Sequence, residues 1–306
     1  MRETALNFGP GGRLVGVLTR PDASPSGAGE HPAVVFLNAG ILHRIGPNRI
    51  HVRMARKLAQ RGVASLRLDF PGVGDSRTLG TGLSLVEEGQ ESVRAALTHL
   101  ADHGVADRFV VFGLCSGADA AFRTACVDSR VVGITLVDPT RLFPTRKTWI
   151  LRGIRAALRL GPWGRLLTGR YNLLRRLADR FRPVPPNTAG GASAESGEDP
   201  ERDGSAGRLT HQARELASQA LAGLIERDIR ICHIITGDQW ELYNYRTQLL
   251  DAFPELDLEP VTRLELFRDA HHTFRREADR RVLEETLIDW VTGERFTEPG
   301  QPEVIT

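Results

Sequence analysis

Residues Gly113-Leu114-Cys115-Ser116-Gly117 stand between a short apolar run, Phe109-Val110-Val111-Phe112, and a helix-prone run from Ala118 to Val127. A strand that turns into a helix over five residues leaves almost no room at the crossing. Glycine on both sides of the central residue meets that demand, because a side chain there would strike the strand or the helix passing it. The turn predicts a strained backbone at Cys115, whose side chain stands exposed above the end of a sheet.

The rest of the chain supplies a setting for this unit. Thr4–Leu6 and Arg13–Leu18 flank Gly9-Pro10-Gly11-Gly12 and predict an N-terminal hairpin. Ala33-Val34-Val35-Phe36-Leu37 and Val131–Val137 are continuous apolar runs, the pattern of strands buried on both faces. Ala64–Leu68, Ile229–Thr236 and Thr262–Phe267 read as further strands. Helices are expected over about 49–60, 85–103, 209–225, 241–251 and 277–291. Strands alternating with helices after a starting hairpin imply a mostly parallel sheet covered on both faces, an α/β fold.

One stretch breaks that alternation. Residues 141–182 are arginine-rich and helix-prone, with Asp179 their only acid, and 183–207 are poor in apolar residues and rich in Pro, Gly, Ser and acids. The reading is a core made of 1–140 and 208–306, interrupted at 141–207 by a helical lid whose last part, 183–207, is a disordered or mobile loop.

Composition narrows the function classes. A net charge of +2 over 306 residues gives no case for nucleic acid. The three cysteines, Cys115, Cys126 and Cys232, are an odd number and far apart, which argues against a disulfide framework. Cys126 and Cys232 read as buried packing residues. No metal-ligand spacing links the three, and neither a metal nor a cofactor is expected. No apolar run approaches membrane-spanning length and the N-terminus has no signal-peptide core, so a reducing cytoplasm is the expected location.

With Gly-x-Cys-x-Gly placed as a nucleophile elbow, the chain resembles the α/β-hydrolase superfamily outside the insertion. The turn Arg67-Leu68-Asp69-Phe70-Pro71-Gly72-Val73-Gly74-Asp75-Ser76 is similar to the R-x-D-x-x-G-x-G-D-S turn of serine-aminopeptidase-like and thioesterase-like members. Asn38–Arg49 resembles the oxyanion loop of hydrolases associated with exosortase systems, which also place cysteine at the elbow. The resemblance implies an eight-stranded, mostly parallel sheet with helices on both faces and a helical lid.

It also implies a catalytic set. Cys115 would attack an acyl carbonyl as a thiolate, with Ser116 offering its backbone N–H to the oxyanion and Gly40 or Ile41 supplying the second donor. Asp269-Ala270-His271-His272-Thr273-Phe274 is similar to the D-H-x-F ending of many members and aligns His272 with the catalytic imidazole. The acid that orients it is expected after the penultimate strand at Asp238, with Glu241 and Asp138 as alternatives. Arg44 or Arg49 would orient an anionic group or brace neighbouring loops by pairing with Asp69 or Asp75, and the glycines and acids of 69–75 would shape the turn.

The implied reaction is cleavage or transfer of an acyl group from a thioester or ester. The substrate is a small acyl molecule, carried on coenzyme A or an acyl-carrier protein if the arginines of the lid meet its charged surface. Packing of the lid on the core with a solvated arginine face is the plainer alternative, and contact of the basic lid with a membrane surface is a third. A non-catalytic binding or scaffold protein is the rival reading of the whole chain; retention of His272 and an acid argues against it.

Overall fold

A computed structural model of the chain describes residues 1–22, 31–158 and 204–296. Its eight strands are β1 (Arg2–Phe8), β2 (Leu14–Arg20), β3 (Ala33–Phe36), β4 (Ser65–Leu68), β5 (Phe109–Leu114), β6 (Val131–Val137), β7 (Arg230–Thr236) and β8 (Thr262–Phe267). They form one sheet in the order β1-β2-β4-β3-β5-β6-β7-β8. The N-terminal hairpin pairs antiparallel and β2 joins β4 antiparallel, while every pairing from β4 through β8 is parallel. The expected mostly parallel, eight-stranded α/β sheet is therefore present.

The helices are α1 (Ile50–Gln60), α2 (Leu85–Asp102), α3 (Ser116–Val127), α4 (Arg146–Leu158), α5 (Gly204–Glu226), α6 (Gln248–Ala252) and α7 (Glu277–Val291). Helix α2 begins where a capping box allows it: the Ser84 hydroxyl accepts from Glu87 N–H, and the Glu87 carboxylate accepts from Ser84 N–H at 2.9 Å. The central strands bury both faces. Val34 and Phe36 of β3, with Val110 and Phe112 of β5, join Met54 and Leu58 of α1 and Leu283 and Leu287 of α7 in one apolar cluster. Their alternates Ala33, Val35, Phe109 and Val111 are equally buried, which is why these strands read as unbroken apolar runs.

One charged network ties α1 to α7. Glu284 is fully buried and meets Arg53 at 2.5 Å and Lys57 at 2.6 Å, and Arg53 also pairs with Glu277 at 2.7 Å. The buried Glu284 carboxylate is thus compensated from two positions on α1, and Arg53 bridges two acids of α7.

The helix expected over 241–251 shortens to α6. The Gln248 side chain accepts from Asn244 N–H at 3.1 Å and donates to Leu242 O at 2.6 Å. Those bonds tie the Gln248 side chain to the backbone of Asn244 and Leu242, in competition with a helix continued toward 241. Cys232 is buried as expected, and burial pushes its thiol up to about 12. Cys126, expected to be buried, is instead exposed near the end of α3.

By internal contact the chain divides into Met1–Thr145 with Ser218–Thr306, which carries the sheet, and Arg146–Ala217. Of the expected lid, 159–182 lie outside the described residues, as do 183–203 of the expected loop; residue 204 opens α5. Among the described residues no helix is long and apolar enough to cross a membrane.

Two buried histidines give the fold an acid-sensitive core. His51 of α1 stacks on Phe36 with ring centroids 5.3 Å apart, and burial lowers its pKa to about 3. His233 of β7 lies 5.4 Å from the Tyr243 ring, and burial lowers it to about 4. In the unfolded chain both take protons near 6.5. Their stabilisation is thus complete above that pH and is lost as pH falls toward 4 and then 3. At about 1.4 kcal/mol per pKa unit, several kcal/mol should disappear over that range. Urea midpoints measured stepwise from pH 7 to 4 should fall accordingly, and His51→Phe should flatten the fall; an unchanged slope in that variant would exclude His51 as a cause.

Candidate active site

Strands β5, β6, β7 and β8 run parallel, so their C-terminal ends share one edge of the sheet. The loops leaving that edge carry Cys115, Asp138, Asp238 and His272.

Cys115 occupies the turn between β5 and α3 with φ 57° and ψ −124°, a region that L residues rarely adopt. Holding it there costs on the order of 1–3 kcal/mol, which the surrounding packing must offset. The geometry explains both flanking glycines. A Cβ on Gly113 would overlap the Gly117 carbonyl, and one on Gly117 would stand 2.5 Å from the Asn38 carbonyl oxygen. Neither obstacle is a side chain that can swing away. Gly113→Ala and Gly117→Ala should therefore give protein that is largely insoluble or melts many degrees lower, as read from soluble yield and thermal unfolding; wild-type melting in either variant would contradict the crossing described here.

His272 follows β8 and is held at two points. Its Nδ1 lies 2.7 Å from Asp138 Oδ2, while its backbone N–H donates to Asp238 Oδ2 at 2.8 Å. The expected pairing of the imidazole with Asp238 is corrected by this arrangement: the ring belongs to Asp138. Asp138 stands just beyond β6 with φ 44° and is fully buried. Thr236, at the end of the adjacent β7, donates to it twice at 2.7 Å, from N–H to Oδ1 and from its hydroxyl to Oδ2. Asp238 sits one strand nearer the edge and is half-exposed, so it meets the backbone of the His272 loop and, at 3.5 Å, the His271 ring. Glu241 is in neither role.

An ionised carboxylate can only accept, so Nδ1 of His272 carries the proton and Nε2 keeps its lone pair. The Asp138 hydrogen bond, and behind it the charges of Asp138 and Asp238, raise the His272 pKa above the ordinary 6.5 despite partial burial. His271 instead bonds Thr273 Oγ1 through Nδ1 at 3.0 Å.

The loop after β3 carries the expected oxyanion donors. Gly40, at φ 56°, donates its N–H to the Ser116 hydroxyl oxygen at 2.9 Å. Among the described residues, the N–H groups of Ile41 and Ser116 have no acceptor. The loop is braced from below. Asn38 Nδ2 donates to Leu42 O at 2.8 Å, and its Oδ1 accepts from Phe70 N–H at 2.6 Å. Buried Asp69 accepts from Arg44 N–H at 2.6 Å and pairs with the Arg44 guanidinium, which also reaches Asp75 at 2.6 Å. Arg44 thus takes the bracing role expected of it, and the Asp69–Ser76 turn supports the site rather than entering it. Asn38 is the residue that sequence reasoning missed: nothing local marks a side chain that joins two loops 32 positions apart.

The sequence profile of the alpha/beta hydrolase family matches residues 34–285, and the chain belongs to that family. Its structure is similar to that of the Pyrococcus furiosus esterase Pf2001, with 15% identity, 97% of this chain and 91% of that one covered, and a TM-score of 0.54. Est1E from Butyrivibrio proteoclasticus aligns at 12% identity over 94% of this chain and 96% of that one, with a TM-score of 0.53. The alpha/beta hydrolase GrgF from Penicillium gives 16% identity, 95% and 99% coverage and a TM-score of 0.52. At these identities the likeness is one of fold. No curated protein sequence matches the chain.

Proposed function

We propose that this hydrolase-fold protein cleaves or transfers the acyl group of a thioester or ester through an acyl-Cys115 intermediate. The observation that carries the reading is the His272–Asp138 bond, which leaves Nε2 as a proton acceptor on the strand-end edge that also holds the strained Cys115 turn.

The proton of the Cys115 thiol passes to His272 Nε2 as sulfur attacks the acyl carbon. A carbon–sulfur bond forms and the carbonyl π pair moves to oxygen, where the free N–H groups of Ser116 and Ile41 receive the charge. Collapse restores the carbonyl and breaks the bond to the leaving oxygen or sulfur, which takes the proton from Nε2. Water then gives a proton to Nε2 and attacks the thioester, releasing the acid and returning the thiol. An amine in place of water gives transfer.

Cysteine favours a thioester substrate, because thioester-to-thioester exchange is nearly balanced, whereas making a thioester from an oxyester is uphill. Esterase names among the structural relatives support the broader ester chemistry. Delivery on coenzyme A or an acyl carrier is the form of substrate proposed.

The test is intact-mass analysis after brief mixing with p-nitrophenyl butyrate and, separately, butyryl-coenzyme A. An acyl mass mapped to Cys115, formed faster with the thioester, is expected. A stable adduct on Ser116, or no adduct and no turnover, would sink the reading.

A further inference from the structure

The elements of the oxyanion site are not independent. Ser116 is the first residue of α3, its neighbour Cys115 is the attacking group of the proposed reaction, and its hydroxyl oxygen already accepts the Gly40 N–H at 2.9 Å. A hydroxyl has one proton to give and two lone pairs. Gly40 occupies one lone pair, and no acceptor for the proton exists among the described residues. Gly40 has open space where a Cβ would stand, so its φ of 56° is needed for the direction of its N–H rather than for room.

We infer that the Ser116 side chain is itself an oxyanion donor, a relay in which Gly40 N–H donates to Ser116 Oγ and Ser116 O–H donates to the charge developing on the acyl oxygen. This deepens the acyl-cysteine reading and rests on it. Gly40, a candidate donor by sequence, has its proton turned onto Ser116 and contributes through that hydroxyl. An O–H whose oxygen is already accepting is the more polarised donor. The positive end of α3 adds to the same field. The hole then has three donors: Ser116 N–H, Ile41 N–H and Ser116 O–H. The Gly40 N–H also takes up one lone pair of the hydroxyl, which narrows the directions left to its proton before substrate arrives.

The experiment compares wild type, Ser116→Ala and Ser116→Thr with three probes: p-nitrophenyl butyrate, butanal and iodoacetamide. The ester and the aldehyde both place negative charge on oxygen when Cys115 adds to them; alkylation by iodoacetamide displaces iodide and makes no oxyanion. Ser116→Ala should lower kcat/KM roughly 10²-fold, mainly in kcat, and weaken butanal inhibition by a similar factor, the scale of losing one such donor. Its alkylation rate should stay within about threefold of wild type, since the thiol and His272 are untouched. Ser116→Thr, which keeps a hydroxyl, should recover most of the loss. Ester and aldehyde responses unchanged in Ser116→Ala, a parallel loss of alkylation, or no recovery in Ser116→Thr would each overturn the relay. A wild type that forms no acyl and no aldehyde adduct would fail at the earlier step, removing the acyl-cysteine reading and the relay with it.

Discussion

Asp138→Asn is expected to lower turnover by about three to four orders of magnitude, while Asp238→Asn should cost far less. The difference follows from what each carboxylate holds. Asp138 bonds the imidazole at 2.7 Å and is the leading cause of the raised His272 pKa. An amide there cannot stabilise the imidazolium and can present N–H to Nδ1, which forces the proton onto Nε2 and blocks it as a base. Asp238 bonds the His272 backbone N–H and approaches the His271 ring at 3.5 Å, and an amide oxygen can accept the backbone bond equally well. The pH profile separates the two further. The base must be neutral, so kcat/KM should rise with pH through the His272 pKa, with a midpoint above 6.5 in wild type. In Asp138→Asn the residual rate should rise at lower pH, because the hydrogen bond and charge that favoured the proton are gone. Asp238→Asn should move the midpoint slightly in the same direction. A larger loss in Asp238→Asn than in Asp138→Asn would return the acid to the end of β7, and equal losses would contradict the separate duties given to the two.

The second large effect is at the elbow. Cys115→Ala should abolish the acyl adduct and leave only the slow rate that binding and the oxyanion donors provide alone, a residue of catalysis known to survive loss of a nucleophile. Cys115→Ser should keep partial turnover, since His272 can still take a proton from a hydroxyl. His272→Ala should fall nearly as far as Cys115→Ala, and the double variant no further, because groups that act as a unit lose their effect together. His271→Ala, whose ring bonds only Thr273 and approaches Asp238, should be mild. These are read from initial rates with p-nitrophenyl butyrate. Turnover retained by Cys115→Ala would exclude the covalent route.

The parts of this molecule that sequence discloses are those governed by local sterics. Gly113 and Gly117 must be glycine because backbone passes within a Cβ's reach, and that constraint is written in five consecutive residues. Strands β3 and β5 bury both faces and so announce themselves as unbroken apolar runs. The acid was not legible in the same way. Asp138 and Asp238 follow neighbouring strands, and both reach the His272 loop; which one meets the ring depends on how the loops leave β6 and β7 and on Thr236 donating twice to Asp138. The helix expected over 241–251 is cut short because the Gln248 side chain bonds loop backbone at Leu242 and Asn244. The oxyanion loop hides its support likewise, since Asn38 meets Phe70 only after β3 and β4 pair. Pairings of that kind arise from tertiary approach and leave no periodic trace.

Holding one histidine by two carboxylates has an evolutionary consequence. Asp138 fixes where the ring points, and Asp238 fixes where the chain beneath it runs. An aspartate already stands at the end of each of two neighbouring strands, β6 and β7, and each already bonds this residue. A lineage could then shift its acid from one strand to the next by single steps, never passing through an ancestor whose imidazole lacked an anchor.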